Sequence, residues 1–264
     1  MKIKCIQPDM EFGNVEFNFS EVKAKIAEAA RDSVDVIVLP ETWNTGFFPK
    51  QFLADLSDNN GERVKAEIGA LAKKYYVNIV AGSVANVIDG KVYNTAYIFS
   101  RNGECIGEYN KIHAFTPMGE DDYFSQGDKL CTFDIDGHKC GIIICYDIRF
   151  PELTRTMTID GLDVLFVVSQ WPKIRIPHLL ALTKARAIEN QMFVVCCNSC
   201  DTSGETIYGG TSSIHDPWGE QLALAGDGPE IIEADCDMSI LSSIRSSINV
   251  FRDRRPELYN TDRK

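Results

Sequence analysis

Apolar residues recur along the chain with two distinct periods. Short runs rich in Val, Ile and aromatic residues, bounded by Gly, Pro, Asn or Asp, predict strands at Ile3–Gln7, Val34–Leu39, Asn78–Val84, Val92–Ser100, Glu104–Tyr109, Leu130–Ile135 and His138–Ile144. Further strands are predicted at Asp163–Val168, Phe193–Asn198, Ser212–Asp216, Glu220–Ala225 and Ile231–Asp235. Asp89-Gly90, Asn102-Gly103 and Asp136-Gly137 each separate two such runs, which is the signature of a two-residue hairpin and requires antiparallel pairs. Between the strands, helical spacing predicts helices over Phe17–Arg31, Glu62–Tyr75, Pro151–Asp160, Arg175–Asn190 and Ser239–Ser246. In the first, Val22, Ile26 and Ala29 or Ala30 share one face.

The segments EAARDSVDVIVLP and MTIDGLDVLFVVS each run from a helix end through an aspartate into consecutive aliphatics, as in a βαβ unit whose strand is covered on both sides. Strands of both kinds mixed with helices predict an α/β fold of two packed sheets with helices outside. No Ser/Gly/Pro-rich linker interrupts the chain and no repeat of fixed period is present, so a single domain over residues 1–264 is expected. Its polar tail, from about Phe251, would lie over a neighbouring element or a second subunit.

Composition narrows the function. With 264 residues, 44% of them hydrophobic, the chain can build a substantial core. No window reaches the roughly 18 apolar residues that span a bilayer, and the amino terminus shows no export signal, so a soluble cytoplasmic protein is expected. A net charge of −11 argues against nucleic acid or anionic membrane as partner. Arg252 to Arg255, interleaved with an aspartate, are expected to form ion pairs. Nine cysteines, an odd number in a long chain, do not read as a disulfide framework. The single C-x-x-C at Cys197 and Cys200 reads as part of a buried strand.

Three reactive side chains each follow a predicted strand. In GIIICYDIRFPEL, Cys145 ends an isoleucine run just before a turn into a helix begun by Pro151. Strand carboxyl ends are where open α/β sheets keep their ligand crevices, and nearby backbone N–H groups there would lower a thiol pKa. A buried structural thiol is the ordinary reading of any one cysteine. In VIVLPETWNTGF, Glu41 follows a second strand, flanked by Leu39, Pro40, Trp43 and Phe47, an apolar setting that raises a carboxyl pKa. In EYNKIHAF, Lys111 follows a third, among aromatic and aliphatic neighbours unlike those of a solvated lysine. The four histidines, at 113, 138, 178 and 215, have no context that marks a Cys/His dyad.

VLPE, YNKIH and ICYDIRFPEL resemble, in order and spacing, the three catalytic segments of the nitrilase superfamily of carbon–nitrogen hydrolases. KARAIENQMFVVCCN and GGTSSIHDPWGE resemble two of its later structural segments, so the likeness covers nearly the whole chain. The resemblance implies a four-layer αββα sandwich, commonly dimerised, and hydrolysis of a non-peptide carbon–nitrogen bond without metal or organic cofactor. It implies Cys145 as nucleophile, Glu41 as general base and Lys111 as electrostatic stabiliser. Glu120, in GEDDYFSQG, matches a second glutamate of the family, with Asp121 and Asp122 as neighbouring candidates for that position. The N–H of Tyr146 would join Lys111 in holding the oxyanion.

WNTGF after Glu41, QWP at Gln170–Pro172 and the terminal DRRPELY look most like the ω-amidase branch, which acts on 2-oxo dicarboxylic acid monoamides such as 2-oxoglutaramate. A carboxylate on such a substrate needs a cation, for which Arg149, Lys173 and Arg175 are the candidates, with Trp171 and Phe47 as walls. The same triad would also serve a nitrilase, an N-carbamoyl amino-acid amidohydrolase or an aliphatic amidase. A binding protein that retains the triad with little turnover is the alternative of a different class.

Overall fold

In the computed structural model, which describes residues 1–47, 49–200 and 202–259, the apolar runs become strands β1 (Lys2–Gln7), β2 (Val36–Val38), β3 (Asp58–Asn59), β4 (Asn78–Ile88), β5 (Lys91–Phe99), β6 (Cys105–Asn110), β7 (Thr132–Ile135), β8 (His138–Ile144), β9 (Val164–Ser169), β10 (Phe193–Asn198), β11 (Thr202–Ser203), β12 (Thr206–Ile207), β13 (Ser213–His215), β14 (Gln221–Leu224) and β15 (Glu230–Asp235). The helices are α1 (Val15–Ala29), α2 (Leu53–Leu56), α3 (Glu62–Tyr75), α4 (Pro151–Thr158), α5 (Ile176–Asn190) and α6 (Ile240–Ser247). The short pieces β3, β11, β12 and α2 carry too few apolar residues to leave a period in the sequence.

One mixed sheet has the order β15-β1-β2-β4-β5-β6, with β3 beside β4, and the other the order β14-β13-β10-β9-β8-β7. The two βαβ segments behave as expected: β1 pairs parallel with β2 across α1, and β8, β9 and β10 run parallel through α4 and α5. Ile3, Cys5, Val38 and Ile98 of the first sheet join Ile142, Phe166 and Val195 of the second in one continuous core, which also takes in Leu179 and Ala187 of α5. On the other face of the first sheet, Ile37, Ile79 and Phe99 pack against Phe19, Val22 and Ile26 of α1 and Val64 and Ile68 of α3. The result is a four-layer αββα sandwich, in which alternate residues of one strand serve two different hydrophobic interfaces.

Local chemistry sets the boundaries. Helix α1 starts two residues earlier than its apolar period indicates, because the Asn14 side chain accepts the Phe17 N–H (3.2 Å) and caps the first turn. Asp89-Gly90 and Asp136-Gly137 carry positive φ at both residues, as a tight hairpin turn requires. At Asn102-Gly103 only the glycine does, and the register slips between Ile98 and Phe99, so this connection is a longer turn with a bulge. The polar tail lies against α4 as far as it is described, with Arg155 over the Phe251 ring (5.0 Å) and Arg252 and Arg255 paired to Asp253 and Glu257. Residues 260–264 of that extension lie outside the described residues.

A bulge in β4 prepares the first strand end for chemistry. Its pairing with β5 is interrupted between Val80 and Ser83, where Gly82 has φ +60°, and the chain after β2 runs alongside this irregular stretch. Leu39 N–H donates to the Val80 carbonyl (2.9 Å), Ser83 N–H to Pro40 (3.0 Å) and Trp43 Nε1 to Ala81 (2.8 Å). A Cβ on Gly82 would sit 2.0 Å from the Pro40 carbonyl oxygen. Gly82→Ala is therefore expected to destabilise the fold by about 2–3 kcal/mol, read as a lower midpoint in urea, whereas an unchanged midpoint would show that this backbone is not tightly held.

Candidate active site

Four chain segments converge where β2, β6, β8 and β9 end. Glu41 follows β2 and is wholly buried; its Oε1 accepts from Lys111 Nζ (2.8 Å) and Asn94 Nδ2 (2.8 Å), and its Oε2 from the Gln170 backbone N–H (2.8 Å). Lys111 follows β6, where its N–H donates to the Asn94 carbonyl (2.9 Å) and its carbonyl accepts from Gly127 (2.8 Å). Its ammonium also donates to both oxygens of Glu120, at 2.8 and 2.9 Å. Glu120 stands at the start of a short 3₁₀ turn, Glu120–Asp122, after Gly119 at φ +70°. Its Oε2 accepts the Phe115 N–H (2.6 Å). Asp121 and Asp122 remain exposed, so the residue facing the lysine is Glu120.

Cys145 ends β8 and opens a 3₁₀ turn, Cys145–Arg149, that leads into Pro151 and α4. Its φ of +48° is a left-handed conformation that a side chain with a Cβ adopts only when its surroundings impose it. Arg186 of α5 holds that turn from behind, donating to the Ile148 carbonyl from Nε (3.1 Å) and Nη2 (2.7 Å). The thiol lies 3.9 Å from the Gln170 carbonyl oxygen and within hydrogen-bonding reach of Glu41.

The electrostatics follow from burial. Desolvation raises the Glu41 pKa, and the Glu120 charge adds to it, outweighing the pull of Lys111. Desolvation works against the Lys111 ammonium, but Glu120 and Glu41 together more than offset it and hold the lysine charged. Burial, followed by the Glu41 charge, pushes the Cys145 thiol well above the ordinary thiol range. The expectation that backbone N–H groups would lower this pKa is thus not met: the sulfur is buried, and two carboxylates face it against one ammonium. This direction favours the protonated thiol in the resting site.

A narrow, mostly apolar cavity gives onto the sulfur. Glu41, Lys111, Cys145 and Gln170 form its floor, and Phe47, Phe115, Met118, Tyr146, Trp171 and Pro172 its walls, with Arg149 and Arg175 among them. Five of the six residues expected to contact substrate therefore line it: Phe47, Tyr146, Arg149, Trp171 and Arg175. Lys173 does not. The 3₁₀ turn Lys173–Arg175 sends its side chain outward, where Nζ pairs with Asp227 (2.8 Å), and brings Arg175 back over the Phe115 ring (5.1 Å). Arg149 lies over Trp171 (4.8 Å) and meets Nδ1 of His178 (3.2 Å). Neither arginine has a carboxylate partner among the described residues. Among the described residues, no histidine lines the cavity. Cys197 and Cys200 turn away from it to the carbonyls of Ile6 (3.1 Å) and Pro8 (3.3 Å).

The reading from sequence did not anticipate Asn94, Phe115 or Met118. Asn94 left a signal, as a polar residue among the apolar positions of KVYNTAYIF; Phe115 and Met118 arrive from a loop whose path no periodicity specifies.

Comparison with known proteins accords with this geometry. The family model described as carbon–nitrogen hydrolase matches residues 2–246. The chain is 41% identical over 257 residues to the 2-oxoglutaramate amidase of Bacillus subtilis (strain 168), covering 97% of this chain and 98% of that protein. It is 31% identical over 256 residues to the omega-amidase NIT2 of Homo sapiens, covering 94% and 92%. Among solved structures, Saccharomyces cerevisiae Nit3, a member of branch 10 of the nitrilase superfamily, superposes with a TM-score of 0.89 at 28% identity, over 97% of this chain and 96% of that one. Matched along nearly its whole length in sequence and in fold, the chain belongs to the carbon–nitrogen hydrolase family.

Proposed function

We propose that this hydrolase is an ω-amidase, releasing ammonia from the distal amide of a small 2-oxo dicarboxylic acid monoamide such as 2-oxoglutaramate, with Cys145, Glu41, Lys111 and Glu120 as its reacting group. The observation that carries the substrate class is the pair of arginines in the cavity wall, Arg149 and Arg175, which lack a carboxylate partner in a chain of net charge −11. Where acidic residues are plentiful, two half-buried guanidiniums facing a pocket suit an anionic ligand. The names of the Bacillus subtilis and human relatives point to the same class.

In the proposed cycle the Cys145 sulfur attacks the amide carbonyl carbon while its proton passes to Glu41, whose raised pKa suits it to accept and return a proton. Because the thiol starts protonated, attack and proton transfer proceed together rather than through a free thiolate. The oxyanion is held by the Tyr146 N–H and by Lys111. The lysine already donates to three carboxylate oxygens, so it exchanges one of its two bonds to Glu120 for the new charge, while its bond to Glu41 stays in place. Glu41 then protonates the leaving nitrogen, the C–N bond breaks, and ammonia departs from a Cys145 thioester. In the second half Glu41 takes a proton from water, which attacks the thioester; the C–S bond then breaks as Glu41 returns that proton to sulfur, releasing the carboxylic acid and the Cys145 thiol. Glu120 keeps the lysine charged and in place throughout.

The reading extends to one catalytic domain that works in the cytoplasm as a homodimer. Support for the dimer is the apolar surface of Ile188 and Trp218, each about half exposed; no helix among the described residues is long and apolar enough to cross a membrane.

Three outcomes are expected. Cys145→Ala abolishes ammonia release and leaves circular dichroism and the thermal midpoint near wild type; wild-type turnover by this variant removes the mechanism. Across substrates, 2-oxoglutaramate is turned over well above glutamine, a nitrile or an N-carbamoyl amino acid, and Arg149→Gln or Arg175→Gln each raises KM for it about 10- to 100-fold with little change toward a neutral amide; an equal loss on both substrates removes the carboxylate site. Alkylation of Cys145 by iodoacetamide, followed by mass mapping, accelerates about tenfold per pH unit from 7 to 9, since only the thiolate reacts; a flat profile over that range would show a thiolate already formed.

A further inference from the structure

We propose that Asp147 is a positioning residue for the hydrolysis: its carboxylate holds the strand end that carries Lys111 in register with the turn that carries Cys145. The proposal rests on the roles given above to those two residues. Asp147 is fully buried and lies outside the ring of groups that line the cavity. All four of its acceptor positions are taken. Oδ1 accepts from the His113 N–H (3.0 Å) and faces His113 Nδ1 (2.8 Å), and Oδ2 accepts from the Tyr109 hydroxyl (2.7 Å) and the Ile144 N–H (3.0 Å).

The placement of these donors is what gives the contact a meaning for chemistry. Tyr109 and His113 stand two residues before and two after Lys111, and Ile144 immediately precedes Cys145. One side chain therefore grips both flanks of the ammonium and the residue before the nucleophile, joining the first sheet to the second at the point where they jointly form the site. Its bond to the Ile144 N–H also closes the turn in which Cys145 is held at a positive φ. His113 stacks on Phe150 at 3.6 Å between ring centroids, so the ring that meets Asp147 is itself fixed by the residue just before α4.

A neutral residue cannot do this. Three N–H or O–H donors and the His113 ring nitrogen converge on two oxygens, and an amide in their place offers one oxygen and turns N–H bonds of its own against at least one of those donors. A buried carboxylate with every lone pair engaged fixes its partners to within a few tenths of an ångström, and displacement on the scale of one ångström is enough to slow an oriented reaction about 100-fold.

The test uses the full chain and two variants. Asp147→Asn removes the charge and misdirects at least one donor; Tyr109→Phe removes a single hydroxyl and keeps the ring in the core. For Asp147→Asn, kcat for ammonia release from 2-oxoglutaramate is expected to fall about 100-fold with KM within about threefold, and for Tyr109→Phe about five- to tenfold in kcat alone. Alkylation of Cys145 by iodoacetamide, which needs no substrate, falls in the same order. Ile68→Ala, on the buried face of α3 and remote from the site, lowers the thermal midpoint as a control and leaves kcat within twofold.

Wild-type kcat and alkylation rates in Tyr109→Phe and in folded Asp147→Asn overturn the proposal, as does a loss carried by KM or one matched by Ile68→Ala at equal loss of thermal midpoint. Should Asp147→Asn not fold, Tyr109→Phe decides alone. If wild type hydrolyses no amide while the alkylation series keeps its order, the functional reading fails and the positioning role stands; the converse result separates them the other way.

Discussion

The structure turns on one buried ammonium. Lys111 sits between two carboxylates with almost no exposure to water, and removing the ammonium would leave two buried carboxylates without a counter-charge in a medium that solvates them poorly. A buried ion cluster of this kind is weak evidence for stability, since an apolar cluster of equal volume would serve a core as well. Its retention at the junction of the two sheets, beside a thiol and under a cavity, is instead what a reaction that develops and discharges an oxyanion needs. Burial, together with the Glu41 charge, favours the protonated form of the neighbouring sulfur, so its proton moves as the bond forms.

The fold supplies this cluster by division of labour between its sheets. The first contributes the Glu41 carboxylate and the Lys111 ammonium from the ends of β2 and β6, and the second contributes the Cys145 thiol and the Gln170 backbone from the ends of β8 and β9. Neither sheet holds a complete site. The packing that buries Val38 and Ile98 against Phe166 and Val195 is therefore also what brings sulfur, carboxylate and ammonium together, so core stability and catalytic geometry depend on the same contacts.

Much of this was legible before any coordinates. His138–Ile144 and Phe193–Asn198 were readable to the residue because the first follows the Asp136-Gly137 turn into an isoleucine run and the second carries consecutive apolar residues, and the positions of Glu41, Lys111 and Cys145 followed from where such runs stop. Legibility failed where geometry depends on a loop. Lys173 and Arg175 are equivalent as charges two residues apart, and only the 3₁₀ turn between them decides that one faces Asp227 and the other the cavity. The thiol pKa failed for a different reason: sequence shows the N–H groups around Cys145 but not how completely the sulfur is buried or how close the Glu41 charge comes to it. Asn94 and Asp147 were visible as residues, yet their partners lie on other strands, and pairings across a sheet junction leave no trace in local spacing.

The central claim is that acyl transfer passes through the sulfur next to this cluster. Mixing wild-type protein with 2-oxoglutaramate, quenching in acid during turnover and mapping peptides by mass tests it most directly. The account predicts an acyl adduct of the deaminated substrate on the peptide carrying Cys145, formed along with the first equivalent of ammonia. Ammonia release with that peptide unmodified at every time point, or with the acyl group on another residue, would contradict it.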